Sequence, residues 1–208
     1  MLYGAMGLKM DKLYDAAKKY LDLTNYKYVI KLGRKNVITT LNISFHVIDF
    51  HHLSGLKYLQ RDLPNLKKKR DYIFNEIISQ KITMDKLQKS CFFTPNIEER
   101  IELTGNIMKI VDDDNTIFKY SPNQNPYSEI EAKFMLVNDK YSYRRVFLFF
   151  DEKSTRNSKT EYDLFGKSIF YEDKMDYTKR QTKMAVLYKE KINKITGKSE
   201  VLLNKIKQ

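Results

Sequence analysis

The sequence has one cysteine, no tryptophan, three histidines, seven glycines and four prolines in 208 residues. A lone thiol, Cys91, excludes an internal disulfide and any cysteine-rich zinc site, and fits a reducing compartment. No apolar run exceeds five residues, against roughly 20 needed to span a bilayer, and the first residues lack the charged and long apolar regions of a secretory signal. The expectation is a cytoplasmic protein without a membrane partner. No phosphate-binding glycine loop, dinucleotide fingerprint, serine hydrolase elbow or zinc-finger spacing occurs, which argues against nucleotide-dependent enzymes. Cys91, ahead of two phenylalanines, reads as a small buried hydrophobe rather than a nucleophile.

What is present is core material and positive charge. Hydrophobic residues make up 42%, with 15 Tyr and 12 Phe, while 38 Lys+Arg against 26 Asp+Glu leave a net charge of +12. This is a folded basic protein, not a disordered basic tail. Residues 174–208 hold ten Lys/Arg and three Asp/Glu, and Lys67, Lys68, Lys69 and Arg70 form a second cluster. Such density draws a phosphate backbone in a salt-dependent way. From charge alone, a solvated surface explains it equally well.

Periodicity divides the chain near residue 112. Before it, Met10, Leu13, Ala17 and Leu21 recur at helical spacing, followed by a β-prone hairpin, Tyr26 to Leu32 and Val37 to Ile43, around a turn at Gly33 to Asn36. Further helices are expected from Phe45 to Leu63 with a break near Gly55, from Leu66 to Ile77, and at Thr83 to Lys89. Asn96 and Glu99 have capping-box spacing at the start of another helix running to about Lys109. After residue 112 the period is near two. Thr116 to Tyr120, Ile130 to Leu136, Tyr141 to Phe150 and Glu161 to Tyr171 read as strands, and Met184 to Ile192 as a strand or a helix. Val201, Leu202, Leu203 and Ile206 can form an amphipathic turn or two.

The resulting expectation is an α+β fold with N-terminal and central helices packed on a small, mostly antiparallel β-sheet. Residues 1–9 read as a leader or frayed end, 10–192 as a single α+β domain and 193–208 as a basic C-terminal tail. A split near residue 112 into a helical and a sheet domain is the alternative.

His46, His51 and His52 lie within seven residues. On a regular helix, His46 is about 140° from His51 and about 240° from His52, so the three do not converge on one metal. Asp112, Asp113 and Asp114 more simply form a turn than a cation site. A histidine beside a basic surface is nevertheless the natural proton-transfer group near neutral pH. RNA brings its own nucleophile, the 2′-hydroxyl, so cleavage needs a base, an acid and cationic or hydroxyl donors around the phosphoryl oxygens. His52, Arg100, Arg144, Lys167, Ser168, Lys174, Tyr177, Lys179 and Gln181 are suited to those roles, and Arg180 adds charge beside Lys179. Each also has a bland reading as an ordinary structural or solvated side chain.

Phe50-His51-His52-Leu53-Ser54-Gly55-Leu56 resembles the Phe-x-His-Leu-x-Gly-Leu element of a phage and mobile-element nuclease family within the broad Barnase, EndoU, colicin and RelE-like assemblage. Ile97 to Leu103 with Arg100 resembles the central helix of that family, Val146 to Phe150 its hydrophobic strand, and Ser168-Ile169-Phe170 with Asp176-Tyr177-Thr178 and Gln181 its final segment. The resemblance implies a metal-independent endoribonuclease or tRNA-directed toxin without a cofactor. It implies His52 as general acid or base, with His51 as its alternative, Arg100 as phosphate clamp, Ser168 and Tyr177 as orienting donors, and Gln181 as a substrate or backbone contact. The lysine-rich C-terminal region would hold RNA. A toxin implies a cognate inhibitor with an acidic docking face. Two other readings compete: a non-catalytic nucleic-acid-binding protein, and a phage-type inhibitor of a host protein.

Overall fold

The computed structural model describes residues 10–153 and 160–206; the expected leader at 1–9 lies outside them. Helix α1 (Lys12–Leu23) starts at Asp11, whose Oδ1 accepts from the Tyr14 N–H at 2.9 Å. Its other carboxylate oxygen accepts from the Met84 N–H at 2.8 Å, which ties in the short α5 (Met84–Leu87). The expected hairpin forms as β1 (Tyr26–Arg34) and β2 (Val37–Ser44), joined by Lys35 and Asn36, both at positive φ. Next come α2 (Val47–Leu53), α3 (Leu56–Leu59) and α4 (Arg70–Ile78), with the break at Gly55 where it was expected.

Helix α6 (Pro95–Gly105) begins two residues earlier than the capping-box reading placed it. Thr94 is its N-cap and Pro95 its first residue, a position where the missing N–H costs nothing. The apolar run then breaks at Asn106 and resumes as α7 (Ile107–Asp112). Strands β3 (Thr116–Lys119), β4 (Phe134–Asn138), β5 (Val146–Glu152), β6 (Glu161–Tyr171) and β7 (Thr182–Asn193) follow. Residues 199–204, read from sequence as part of a basic tail able to form an amphipathic turn or two, form β8 (Ser199–Asn204), paired antiparallel with β7.

The described residues thus hold seven α-helices and eight strands, but the sheet is not small or open. Strands β1-β2-β6-β5-β4-β3-β7 pair in that order, and β1 pairs with β7 to close a seven-strand barrel. The sheet is mostly antiparallel, the pair β2–β6 being parallel. Closure depends on the length of β7. Its first residues, Thr182 to Met184, pair with β3, and Ala185 to Asn193 pair with β1. Strand β8 adds to the outside of β7.

Buried residues from both halves of the sequence form one cluster, in which Tyr20, Phe50, Leu53 and Ile101 join Ile30, Phe150 and Leu164. Strands β4 and β5 are apolar on both faces because the two faces of each strand meet different clusters. Leu136, Leu148 and Phe150 point into this core, whereas Met135, Phe147 and Phe149 meet Tyr120, Phe170 and Tyr177 on the outside. Among the described residues no helix is long and apolar enough to cross a membrane.

Two of the lysines counted toward the basic C-terminal region point inward. Lys189, 2% exposed, donates to the Val111 carbonyl at 2.7 Å and to the Asp113 carbonyl, capping the end of α7. Burial holds its pKa down at about 8. Lys191 and the Tyr28 hydroxyl each lie 2.6 Å from the Asp112 carboxylate. Asp113 accepts from Asn138, and Asp114 pairs with Lys140. The aspartate run therefore serves the protein's own donors.

Helices α1 and α6 touch where Gly105 meets Ala16. A Cβ at position 105 would lie 2.7 Å from the Ala16 Cα, a backbone atom that cannot rotate away. Gly105→Ala is expected to destabilise the protein by about 1–3 kcal/mol, read as a lower melting temperature by circular dichroism. An unchanged melting temperature would show that the two helices are not held in this contact.

Candidate active site

Arg100 lies one position before Ile101 on α6, which is buried in the core, and itself sits half-buried at the junction of α2, α6 and β6. Its Nε donates to the Leu53 carbonyl at 3.2 Å, at the C-terminus of α2, where a helix presents unpaired carbonyls and negative partial charge. Its Nη2 donates to Ser168 Oγ at 3.2 Å, on β6. Gly55 makes this approach possible. It holds φ 77, which favours glycine, and a Cβ there would lie 2.9 Å from Ile97 Cδ1 and 3.3 Å from Arg100 Cδ and Nε. Burial pushes the Arg100 pKa down from its ordinary value, opposed by Tyr58, yet a guanidinium stays charged at any ordinary pH.

Arg100 and Ser168 open onto a cleft of about 260 Å³. Helix α3 contributes Tyr58, whose ring centroid is 5.8 Å from the Arg100 guanidinium carbon. Helix α6 adds Asn96 and Glu99, and β6 adds Phe170 and Tyr171. Arg144 enters from the segment before β5, with its guanidinium 4.3 Å from the Tyr171 ring centroid and an ion pair to Glu99. That pair raises the Arg144 pKa. Asp173 and Tyr177 come from the loop between β6 and β7. Tyr177 also packs among Phe147, Phe149 and Phe170 at 5.3–5.4 Å between ring centroids. Burial raises its phenol pKa, so it keeps its proton near neutral pH.

His52, on α2, is half-buried and is not among the cleft-lining residues. Its pKa is lowered to about 4, first by burial and then by the charges of Lys57, Arg100, Arg70 and Lys167. The imidazole is therefore neutral at neutral pH, within a field that favours an anion. His51 is placed differently. It is 3% exposed, with Nε2 3.2 Å from the Leu66 carbonyl, so it packs α2 against the segment before α4 rather than facing the cleft.

The other expected site residues divide by their partners. Lys167 pairs with Asp151 at 3.0 Å and acts on His52 through its charge. Lys174, Lys179 and Arg180 are exposed on the loop that carries Asp173 and Tyr177 into the cleft. Gln181 is a backbone contact: its Oε1 accepts from the Ser121 N–H at 2.8 Å and its Nε2 donates to the Ser121 carbonyl at 3.1 Å. Cys91 is exposed rather than buried. Among the described residues no group of three or more His, Cys, Asp or Glu side chains is placed to hold a metal ion.

Tyr58, Asn96, Glu99 and Asp173 line the cleft without having been singled out as site residues. Asn96, Glu99 and Arg100 share one face of α6 at i, i+3 and i+4, a signal that the capping-box reading absorbed. Asp173 and Tyr58 carried no pattern that separates them from surface residues.

The cleft gathers an anchored guanidinium, hydroxyl groups and an exposed ring, while the neutral imidazole of His52 lies outside its lining but within the field of Arg100. Residues 12–205 match the family model described as phage-Barnase-EndoU-ColicinE5/D-RelE like nuclease 4, and the chain belongs to that nuclease family. Searches of the curated proteins and of the solved structures found no match.

Gly55→Ala is expected to displace Arg100, because the new methyl group meets Ile97 and the guanidinium stem and the backbone is strained. In solution the variant should show a changed Ser168 amide and α6 chemical shifts by NMR, with thermal stability lowered by about 1–2 kcal/mol. Unchanged shifts at Ser168 would dissociate Gly55 from the placement of Arg100.

Proposed function

We propose that the protein is a metal-independent endoribonuclease, acting on RNA through its own 2′-hydroxyl. The observation that carries this reading is the bridge made by Arg100 between Leu53 and Ser168. Two of five guanidinium N–H donors are used internally, which fixes the plane of the group and leaves donors for phosphoryl oxygens in the cleft.

In the proposed reaction the 2′-oxygen attacks phosphorus, the bond from phosphorus to the 5′-oxygen breaks, and a 2′,3′-cyclic phosphate forms. The 2′-hydroxyl proton passes to His52, which its low pKa keeps in the accepting form. The leaving 5′-oxygen takes a proton from solvent. Arg100 offsets the charge that grows on the phosphoryl oxygens. Ser168 and Tyr177 are the hydroxyl donors that orient the group, and Arg144, Lys167, Lys174, Lys179 and Arg180 supply positive charge around the path of the backbone. His51 and Gln181, both committed to backbone carbonyl or amide groups, are left with packing roles.

The test is incubation with purified tRNA and messenger RNA in a chelator, with mapping of the ends. Cyclic phosphate and 5′-hydroxyl ends are expected, and rates lower by about 10²–10⁴ for His52→Ala and by a similar factor for Arg100→Ala. Intact RNA of both classes at high protein concentration would remove the activity; salt-dependent binding without products would leave a non-catalytic binder.

The pH dependence gives an independent check. A base that must be unprotonated loses activity as pH falls through its pKa. Because the His52 pKa lies at about 4, kcat/KM is expected to stay flat from pH 7 to about 5 and to fall only near 4. An unperturbed histidine would give a limb near 6.5, and such a limb in the wild type, lost in His52→Ala, would contradict the burial and charge assigned to this imidazole.

A further inference from the structure

At the barrel end formed by the β1–β2 hairpin, the start of β7 and the end of β3 lies a second concave surface of about 250 Å³. Three cations rim it: Arg34 and Lys35 from the hairpin and Lys119 from β3. Thr39 and Thr182 add hydroxyls, and Phe134 packs edge-on against Tyr162 at 5.0 Å between centroids. No carboxylate is among the described lining residues. In the cleft, by contrast, Arg144 is paired with Glu99, and beside it Lys167 with Asp151. Arg34, Lys35 and Lys119 have no ion pair among the described residues, so their charge remains available to a ligand.

The hairpin tip adds a second observation. Lys35 at φ 48 and Asn36 at φ 60 form a two-residue turn of the kind that matches strand twist. Left-handed backbone costs a lysine free energy that glycine would avoid. The turn therefore holds a cation on the rim of the concave surface.

We propose that this barrel mouth binds the sugar-phosphate backbone of single-stranded RNA at a site separate from the cleft. The cations meet phosphates, the threonine hydroxyls meet phosphate or ribose oxygens, and the Phe134–Tyr162 pair gives an apolar floor. Strand β6 runs between the two sites. Tyr162 lines the mouth and Ser168 the cleft, which places them about 20 Å apart at ~3.3 Å per residue. That distance corresponds to about six nucleotides at the 3.4 Å spacing of a stacked strand. Only a long substrate reaches both sites; a dinucleotide reaches one. The identity of the ligand rests on the nuclease reading, whereas binding at the mouth is measured without cleavage.

The experiment uses the full chain and the combined variant Arg34→Glu, Lys35→Glu, Lys119→Glu, with circular dichroism to confirm folding and a second variant carrying Gln at the same three positions. Binding of a 2′-O-methyl 20-mer, which cannot be cleaved by 2′-oxygen attack, is followed by fluorescence anisotropy against salt. The expected result is at least tenfold weaker binding in the glutamate variant, a smaller loss in the glutamine variant, and a salt slope shallower by about 2, from three phosphate contacts at ~0.7 each. Dinucleotide turnover stays at the wild-type rate. Unchanged 20-mer affinity and slope overturn the proposal, as does a variant that loses binding to anionic lipid vesicles while keeping the 20-mer. If the wild type cleaves no RNA but 20-mer binding depends on these three cations, the nuclease reading fails and the mouth site stands.

Discussion

The guanidinium of Arg100 is the point on which the two halves of the fold and the candidate site depend together. It caps the Leu53 carbonyl at the end of α2 and holds Ser168 on β6, so one side chain joins a helix from the first quarter of the chain to a strand near its end. A partly buried cation is costly unless its donors are used. Here a helix C-terminus supplies a carbonyl with negative partial charge, and the strand supplies a hydroxyl. Burial first, and then the charges of Lys57 and of this same guanidinium, lower the affinity of His52 for a proton. Anchoring and the proposed chemistry therefore meet at one residue, and Gly55 sets the backbone clearance that lets it occupy this position.

The barrel explains how the rest of the cleft is held. Strands β4 and β5 are buried on both faces, so a layer outside the barrel must cover Met135, Phe147 and Phe149. That layer includes Tyr120 and Ile130, together with Tyr177 from the loop after β6. Gln181 clamps the two covering loops together through the backbone of Ser121. Tyr177 is accordingly fixed by packing, with its edge in the cleft, which is how a loop residue acquires a defined position relative to Arg100.

Much of this was readable from local pattern, because local pattern governs elements shorter than a few turns. The β1–β2 hairpin, the break at Gly55 and the strand at Glu161 to Tyr171 follow from periodicity and turn residues. Barrel closure does not. It depends on β7 pairing with β1, more than 150 residues away, and nothing in Met184 to Ile192 distinguishes a strand that closes a barrel from a strand or helix that does not. Strand β8 was hidden for a similar reason: Ser199 to Asn204 is short and polar at its ends, and becomes a strand only because β7 offers an edge. In the site, His52, Arg100, Ser168 and Tyr177 stood out through the order of motifs, and the structure brings Arg100, Ser168 and Tyr177 to one cleft with His52 in the field of Arg100. The tandem His51-His52 could not be resolved from sequence because adjacent helical residues differ only in which neighbour they face; burial against Leu66 separates them.

The central claim is that Arg100, already anchored to Leu53 and Ser168, presents its remaining donors to a phosphoryl group beside a neutral His52. The most direct measurement is a crystal structure with a dinucleotide whose 2′-hydroxyl is replaced by hydrogen. The account predicts a phosphoryl oxygen within hydrogen-bond distance of the Arg100 guanidinium, the bonds to Leu53 and Ser168 retained, and the ribose 2′ position turned toward His52. A dinucleotide bound elsewhere, with the Arg100 donors still facing solvent, would contradict it.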